Sequence, residues 1–117
     1  MTNSMTSPKY KQLMTHKATI KQLGRNSEGD WTTVATYNNI PCFFEWGKRV
    51  VVDLKGEEVT AAATVFLLPD APIVETADRW EIEQTAPYLR QATIMIRIDP
   101  IDDPRTGKTH HLEVAVQ

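Results

Sequence analysis

With 117 residues, the chain has the length of one domain. Its 13 Lys and Arg against 15 Asp and Glu leave a formal charge of −2, which excludes a protein that holds nucleic acid through overall basic charge. The single cysteine, Cys42, excludes an internal disulfide, no run reaches the roughly 20 apolar residues that cross a bilayer, and the N-terminus lacks an apolar signal core; the expectation is a soluble protein made in the cytoplasm.

Residues 1–15 open with "MTNSMTSPKYKQLM", polar and rich in Ser and Thr. This reads as an arm, loose in the isolated subunit because it has little apolar area to set against the entropy of ordering. A short helical turn is expected near residues 10–14. From His16 to the end the texture is that of one β domain. "HKATIKQL" predicts a first strand, and "GRNSEGD" a turn. "WTTVATYNNI" predicts the second strand, "NNIP" a corner, and "CFFEW" a third strand ended by Gly47.

Residues 48–70, "KRVVVDLKGEEVTAAATVFLLPD", begin as a strand, break at Gly56 and resume as another. "DRWEIEQ" places Trp80 and Ile82 on one face, "LRQATIMIRI" places Ala92, Ile94, Ile96 and Ile98 on one face, and "DPIDDPRTGK" reads as a long turn. "HLEVAVQ" alternates, with Leu112, Val114 and Val116 inward and His111, Glu113 and Gln117 outward. About seven short strands separated by Gly, Pro, Asn and Asp clusters, with no sustained helical period, predict an all-β fold: a small barrel with a long central loop and a polar N-terminal arm.

No constellation in the sequence predicts an enzyme. His110 and His111 are neighbours, and adjacent side chains of a regular strand point to opposite faces, so the pair is not expected to chelate one ion. Asp99, Asp102 and Asp103 stand beside prolines and a glycine and read as turn formers. Cys42 lies in an apolar run and is expected to be a buried, inert thiol. The aromatic residues Trp31, Trp46, Trp80, Tyr37, Phe43, Phe44 and Phe66 offer a base-stacking platform, but the basic residues are scattered among acids, and core packing is the expectation for most of these rings. No catalytic residue, metal or cofactor is expected.

The order of features is that of a known family. A polar arm and a strand opened by His16 are followed by "EGDWTTV", a strand ending in "FFEW", the excursion "RVVVDLKGEEVTAAATVFL", then "PDAPIVETADRWEI" and a closing "GKTHHLEVAV". This series resembles the head-completion or stopper proteins of long-tailed phages, also called head–tail connector or head-closure proteins. The similarity runs from His16 to the C-terminus.

The resemblance implies a small β-barrel whose copies form a ring in the virion neck. The portal or adaptor would lie above it, the tail terminator or tail tube below, and packaged double-stranded DNA would pass transiently through the channel, with no membrane involved. A sixfold ring is the first expectation and a twelvefold ring the alternative. The excursion over residues 48–58 is then the channel loop, with Lys48, Arg49, Asp53, Lys55, Gly56, Glu57 and Glu58 as the candidate gate, and Pro8, Lys9 and Tyr10 belong to the assembly arm. The competing expectations are a single-stranded nucleic-acid-binding barrel and a tail-completion subunit.

Overall fold

A computed structural model describes residues 8–74 and 79–117. A six-residue helix, α1 (Pro8–Leu13), precedes six strands: β1 (His16–Arg25), β2 (Trp31–Val52), β3 (Glu58–Leu67), β4 (Arg79–Ala86), β5 (Thr93–Asp102) and β6 (Thr109–Val116). All neighbouring pairs are antiparallel, and the sheet closes on itself in the order β1-β2-β3-β6-β5-β4. The fold is a small all-β barrel. Closure removes the open edges that a flat sheet of this size would expose. Among the described residues no helix is long and apolar enough to cross a membrane.

The strands number six because three expected segments are one. β2 runs unbroken for 22 residues, through both the "NNIP" corner and Gly47. Each expected break is a bulge instead. Asn39 takes a left-handed φ of 56°, where the pairing shifts from Ala18 opposite Ile40 to Ile20 opposite Tyr37. The second shift skips Gly47 and Lys48, between Trp46 opposite Ala63 and Arg49 opposite Ala61. A bulge bends a strand without ending it, so the first part of β2 pairs with β1 and the second with β3. Pro41 sits inside the strand opposite Lys17 of β1, one residue before the β3 ladder starts at Cys42, a position with one neighbouring strand where a proline is tolerated.

Two further expectations are corrected. The turn expected from Asp99 onward is shorter, because β5 continues through Pro100 to Asp102. Among the described residues β5 pairs past Met95 with β6 alone, and a strand open on one side accommodates a proline such as Pro100. The face expected at Ala92, Ile94, Ile96 and Ile98 is split: Thr93 and Ile98 are buried and Met95 packs on the core. A register shift between Met95 and Arg97 inserts Ile96 as an extra residue and flips the alternation.

The barrel interior holds Ala18 and Ile20 from β1, Cys42 and Phe44 from β2, Ala63, Val65 and Leu67 from β3, Trp80 and Ile82 from β4, Ile98 from β5 and Leu112, Val114 and Val116 from β6. Ile73, from the segment after β3, joins them. The expected inward rows of β4 and β6 are the observed ones. Truncating any of the larger side chains, such as Ile82, leaves a cavity that costs about 2–5 kcal/mol. Two polar side chains inside are paired: Thr93 Oγ1 donates to the Ile82 carbonyl at 2.6 Å, and Gln84 Oε1 accepts from Trp46 Nε1 at 2.8 Å.

Candidate functional site

The excursion at residues 48–58 is a β-hairpin built by the ends of β2 and β3. Four pairs make it: Arg49 with Ala61, Val50 with Thr60, Val51 with Val59 and Val52 with Glu58. The β1 ladder leaves β2 at Cys42, and the β6 ladder leaves β3 at Ala63. Among the described residues no third strand pairs with the hairpin, so it extends past the ladders of the barrel as a two-stranded ribbon.

A tight turn closes it. Asp53 N–H donates to the Glu57 carbonyl at 2.8 Å and Gly56 N–H to the Asp53 carbonyl at 3.1 Å. Asp53 Oδ1 accepts from the backbone N–H groups of Lys55 and Glu57, both at 2.9 Å. Gly56 takes φ 85°, which an L side chain adopts only with strain. Of the seven candidate gate residues, Asp53 and Gly56 therefore build the turn. Lys48, Arg49, Lys55, Glu57 and Glu58 are exposed. The basic Lys48, Arg49 and Lys55 are balanced by Asp53, Glu57 and Glu58, so the ribbon carries no net charge.

The ribbon has two faces. Val51 and Val59 are half-buried and Ala61 is fully buried. On the other face Val50 is 63% exposed and Val52 43%, and Leu54 at the tip is 51% exposed. Reading charges alone misses these three apolar residues. The spacing of two between Val50 and Val52 is the signal in the sequence that places both in one row of a strand, with Leu54 in the turn beyond it. A side chain of the barrel reaches the ribbon: Arg97 Nη1 of β5 donates to the Val52 carbonyl at 2.9 Å. The same guanidinium is held by Asp99, with Nε 3.0 and 2.9 Å from the two carboxylate oxygens.

The arm residues fall in two places. Residues 1–7 lie outside the described residues. Pro8 and Lys9 begin α1, and Tyr10 packs on the barrel of its own chain. Its ring centroid lies 4.9 Å from that of His110 and 5.0 Å from that of His111. Burial, and secondarily the charge of Glu113, push the Tyr10 phenol up to about 12. Leu13 and Met14 complete the contact with Phe43 and Phe66 on the outer face of β2 and β3, around an apolar cavity of about 240 Å³.

The histidine pair departs from expectation. His110 Nδ1 and His111 Nδ1 are 2.9 Å apart, although neighbours on a regular strand diverge. The register explains it: His111 faces Ile101 and Thr109 faces Asp102, so His110 is the extra residue of a bulge. His111 Nε2 lies 2.8 Å from Glu113 Oε2. Among the described residues no group of three or more His, Cys, Asp or Glu side chains gathers as a metal site would require.

The three aspartates go separate ways. Asp99 pairs with Arg97, Asp102 Oδ1 accepts from Thr109 Oγ1 at 3.3 Å, and Asp103 closes the β5–β6 turn. The Arg105 side chain, followed by its backbone N–H, holds the Asp103 carboxyl below the usual carboxylate range. Cys42 is fully buried, which pushes its thiol up to about 12; the charge of Lys17 acts weakly the other way.

Most aromatic rings serve packing, with Trp80 and Phe44 each 2% exposed. Trp31 is placed differently. It is exposed, with the guanidinium carbons of Arg25 and Arg79 at 4.4 and 5.7 Å from its ring centroid.

No family model, curated protein or solved structure matches the chain.

Proposed function

We propose that the chain is a ring-forming structural protein of a tailed-phage neck, which closes the DNA channel after packaging and presents a docking surface to the tail. The observation that carries this reading is the β2–β3 hairpin. It is a preformed ribbon that leaves the barrel, has no third strand beside it among the described residues, and presents exposed valines and balanced charges. A channel protein must let DNA rest and then leave. A basic lumen would hold phosphates through counterion release, whereas a ribbon of no net charge does not grip them.

Rings are built from heterologous contacts between different faces of successive subunits. The overhanging ribbon gives such a subunit a projecting element at its surface. The partners in this reading are copies of the chain in a sixfold ring, with a twelvefold ring as the alternative, the adaptor or portal above, the tail below and double-stranded DNA within. The order of sequence features from His16 onward supports the same assignment.

The direct test is electron microscopy and native mass spectrometry of the chain alone and with a portal–adaptor assembly. Closed rings on the assembly are the expected outcome. A second reading, a single-stranded nucleic-acid-binding barrel, draws on Trp31 between Arg25 and Arg79, since an exposed ring flanked by guanidinium groups can stack on a base. A chain that stays monomeric with the assembly, but binds oligonucleotides in a salt-dependent way through Trp31, would replace the first reading with the second.

A further inference from the structure

Two apolar features of the surface are not used by the barrel, and one of them is concave. The cavity of about 240 Å³ between α1 and the outer face of β2 and β3 is lined by Tyr10, Leu13, Met14, Phe43 and Phe66. Leu13, 56% exposed, forms its lip. Close-packed proteins keep few voids of this size, and an apolar cavity of about 150 Å³ already admits a benzene ring. A leucine side chain or a phenol ring therefore fits.

The other feature is convex. Tyr88 and Leu89, in the β4–β5 loop, are each 72% exposed, more than any other large apolar side chain among the described residues. The loop that presents them is pinned at its base. Arg90 N–H donates to the Gln84 carbonyl at 3.0 Å, and the Arg90 guanidinium carbon lies 4.3 Å from the Trp46 ring centroid. Gln84 is buried and also accepts from Trp46 Nε1, so the loop rests on the barrel interior. A knob fixed in advance loses little entropy on docking.

Neither Tyr88 nor Leu89 lines the cavity of its own chain. In the closed sheet β4 and β5 are separated from β2 and β3 by β1 on one side and β6 on the other. Knob and hole thus rise from different parts of the subunit, and one copy's knob in another copy's hole is a heterologous contact, the kind that closes a ring. The sheet beside the cavity carries Glu45, two residues along β2 from Phe43, and Glu113, across from Phe66 on β6. Lys11 of α1 and Lys17 of β1 are the exposed cations of the same region. Arg90, beside Leu89, is the one charge of the loop and suits the carboxylate side of the mouth.

We propose that Tyr88 and Leu89 of one copy insert beneath α1 of the next, so that the cavity is a socket of the contact between subunits. This rests on the ring reading above. The insertion is small: a tyrosine buries about 200 Å², against the roughly 800 Å² per partner of a stable pair. Free copies therefore associate weakly, and the contact forms where a portal–adaptor assembly gathers them.

The test combines Leu13→Cys and Leu89→Cys in one chain, assembled on the portal–adaptor complex and treated with a short bis-maleimide. Both positions are exposed and Cys42 is fully buried, so the new thiols are the ones that react. A ladder of covalent oligomers from the doubly substituted chain, absent from each single variant, is the expected result. Rings without the ladder, or cross-links to the assembly in place of a second copy, overturn the proposal and leave the ring reading standing. No rings from the wild-type chain overturn both. If the cysteine chain builds no rings where wild type does, Leu89→Asp decides. A ring yield lower by about tenfold or more at unchanged Tm supports the socket, and a wild-type yield overturns it.

Discussion

Arg97 Nη1 donates to the carbonyl oxygen of Val52 at 2.9 Å, joining β5 to the far end of β2 across 45 positions of sequence. Asp99 fixes the same guanidinium through Nε. The overhanging ribbon is thus tied to the barrel by a side chain whose own direction is set by a carboxylate on the same strand.

Replacing Arg97 with alanine should loosen the ribbon without unfolding the barrel. Exchange at residues 50–58 is expected to rise about tenfold, while global stability changes by about 1 kcal/mol or less, the scale of a half-exposed ion pair and one hydrogen bond. Hydrogen exchange and urea denaturation measure the two effects separately. Unchanged exchange at the ribbon would show that the Arg97 tie does not hold it.

Cys42 should behave as part of the core. Its thiol is driven up to about 12 mainly by burial, so at neutral pH it is neutral and shielded. A raised folded value means that the thiol contributes stability below its unfolded pKa of about 8.5 and loses that contribution as pH rises toward the folded value. Thiol reagents at pH 8 should label the chain only in denaturant. Labelling of the native protein at a free-thiol rate would contradict this burial.

Asp103 sets an acid limit on the β5–β6 turn. Its folded value is depressed, so the stability it brings is present above the unfolded carboxylate value of about 3.9 and is lost as pH falls through the folded one. Asp103→Asn should therefore lower Tm at neutral pH and converge with wild type once pH falls below the folded value. Scanning calorimetry over that range checks it; a constant difference at every pH would assign the effect to packing rather than charge.

The barrel was legible in the sequence wherever alternation was uninterrupted. Trp80 and Ile82, and Leu112, Val114 and Val116, follow period two and all face inward. Bulges defeated the reading elsewhere, because one added residue exchanges the faces and no composition rule marks it. Asn39, Gly47, Ile96 and His110 each stand at such a register shift. The turn at Gly56 was legible because only glycine accepts its φ without strain. Tyr10 was not, since its contacts with His110 and His111 join the two ends of the chain and leave no local pattern.

The most direct measurement of the central claim is packaging with the ribbon tip removed. Deleting residues 50–56 cuts the chain before β3 and after the second bulge of β2, so the core of Val65, Ile82 and Val114 keeps its ladders. A circular-dichroism spectrum should stay that of the wild-type barrel, and rings should form. Filled heads assembled with this variant should leak DNA or fail to join tails. Filled, tailed and infectious particles at the wild-type yield would contradict the assignment of the hairpin as the channel closure.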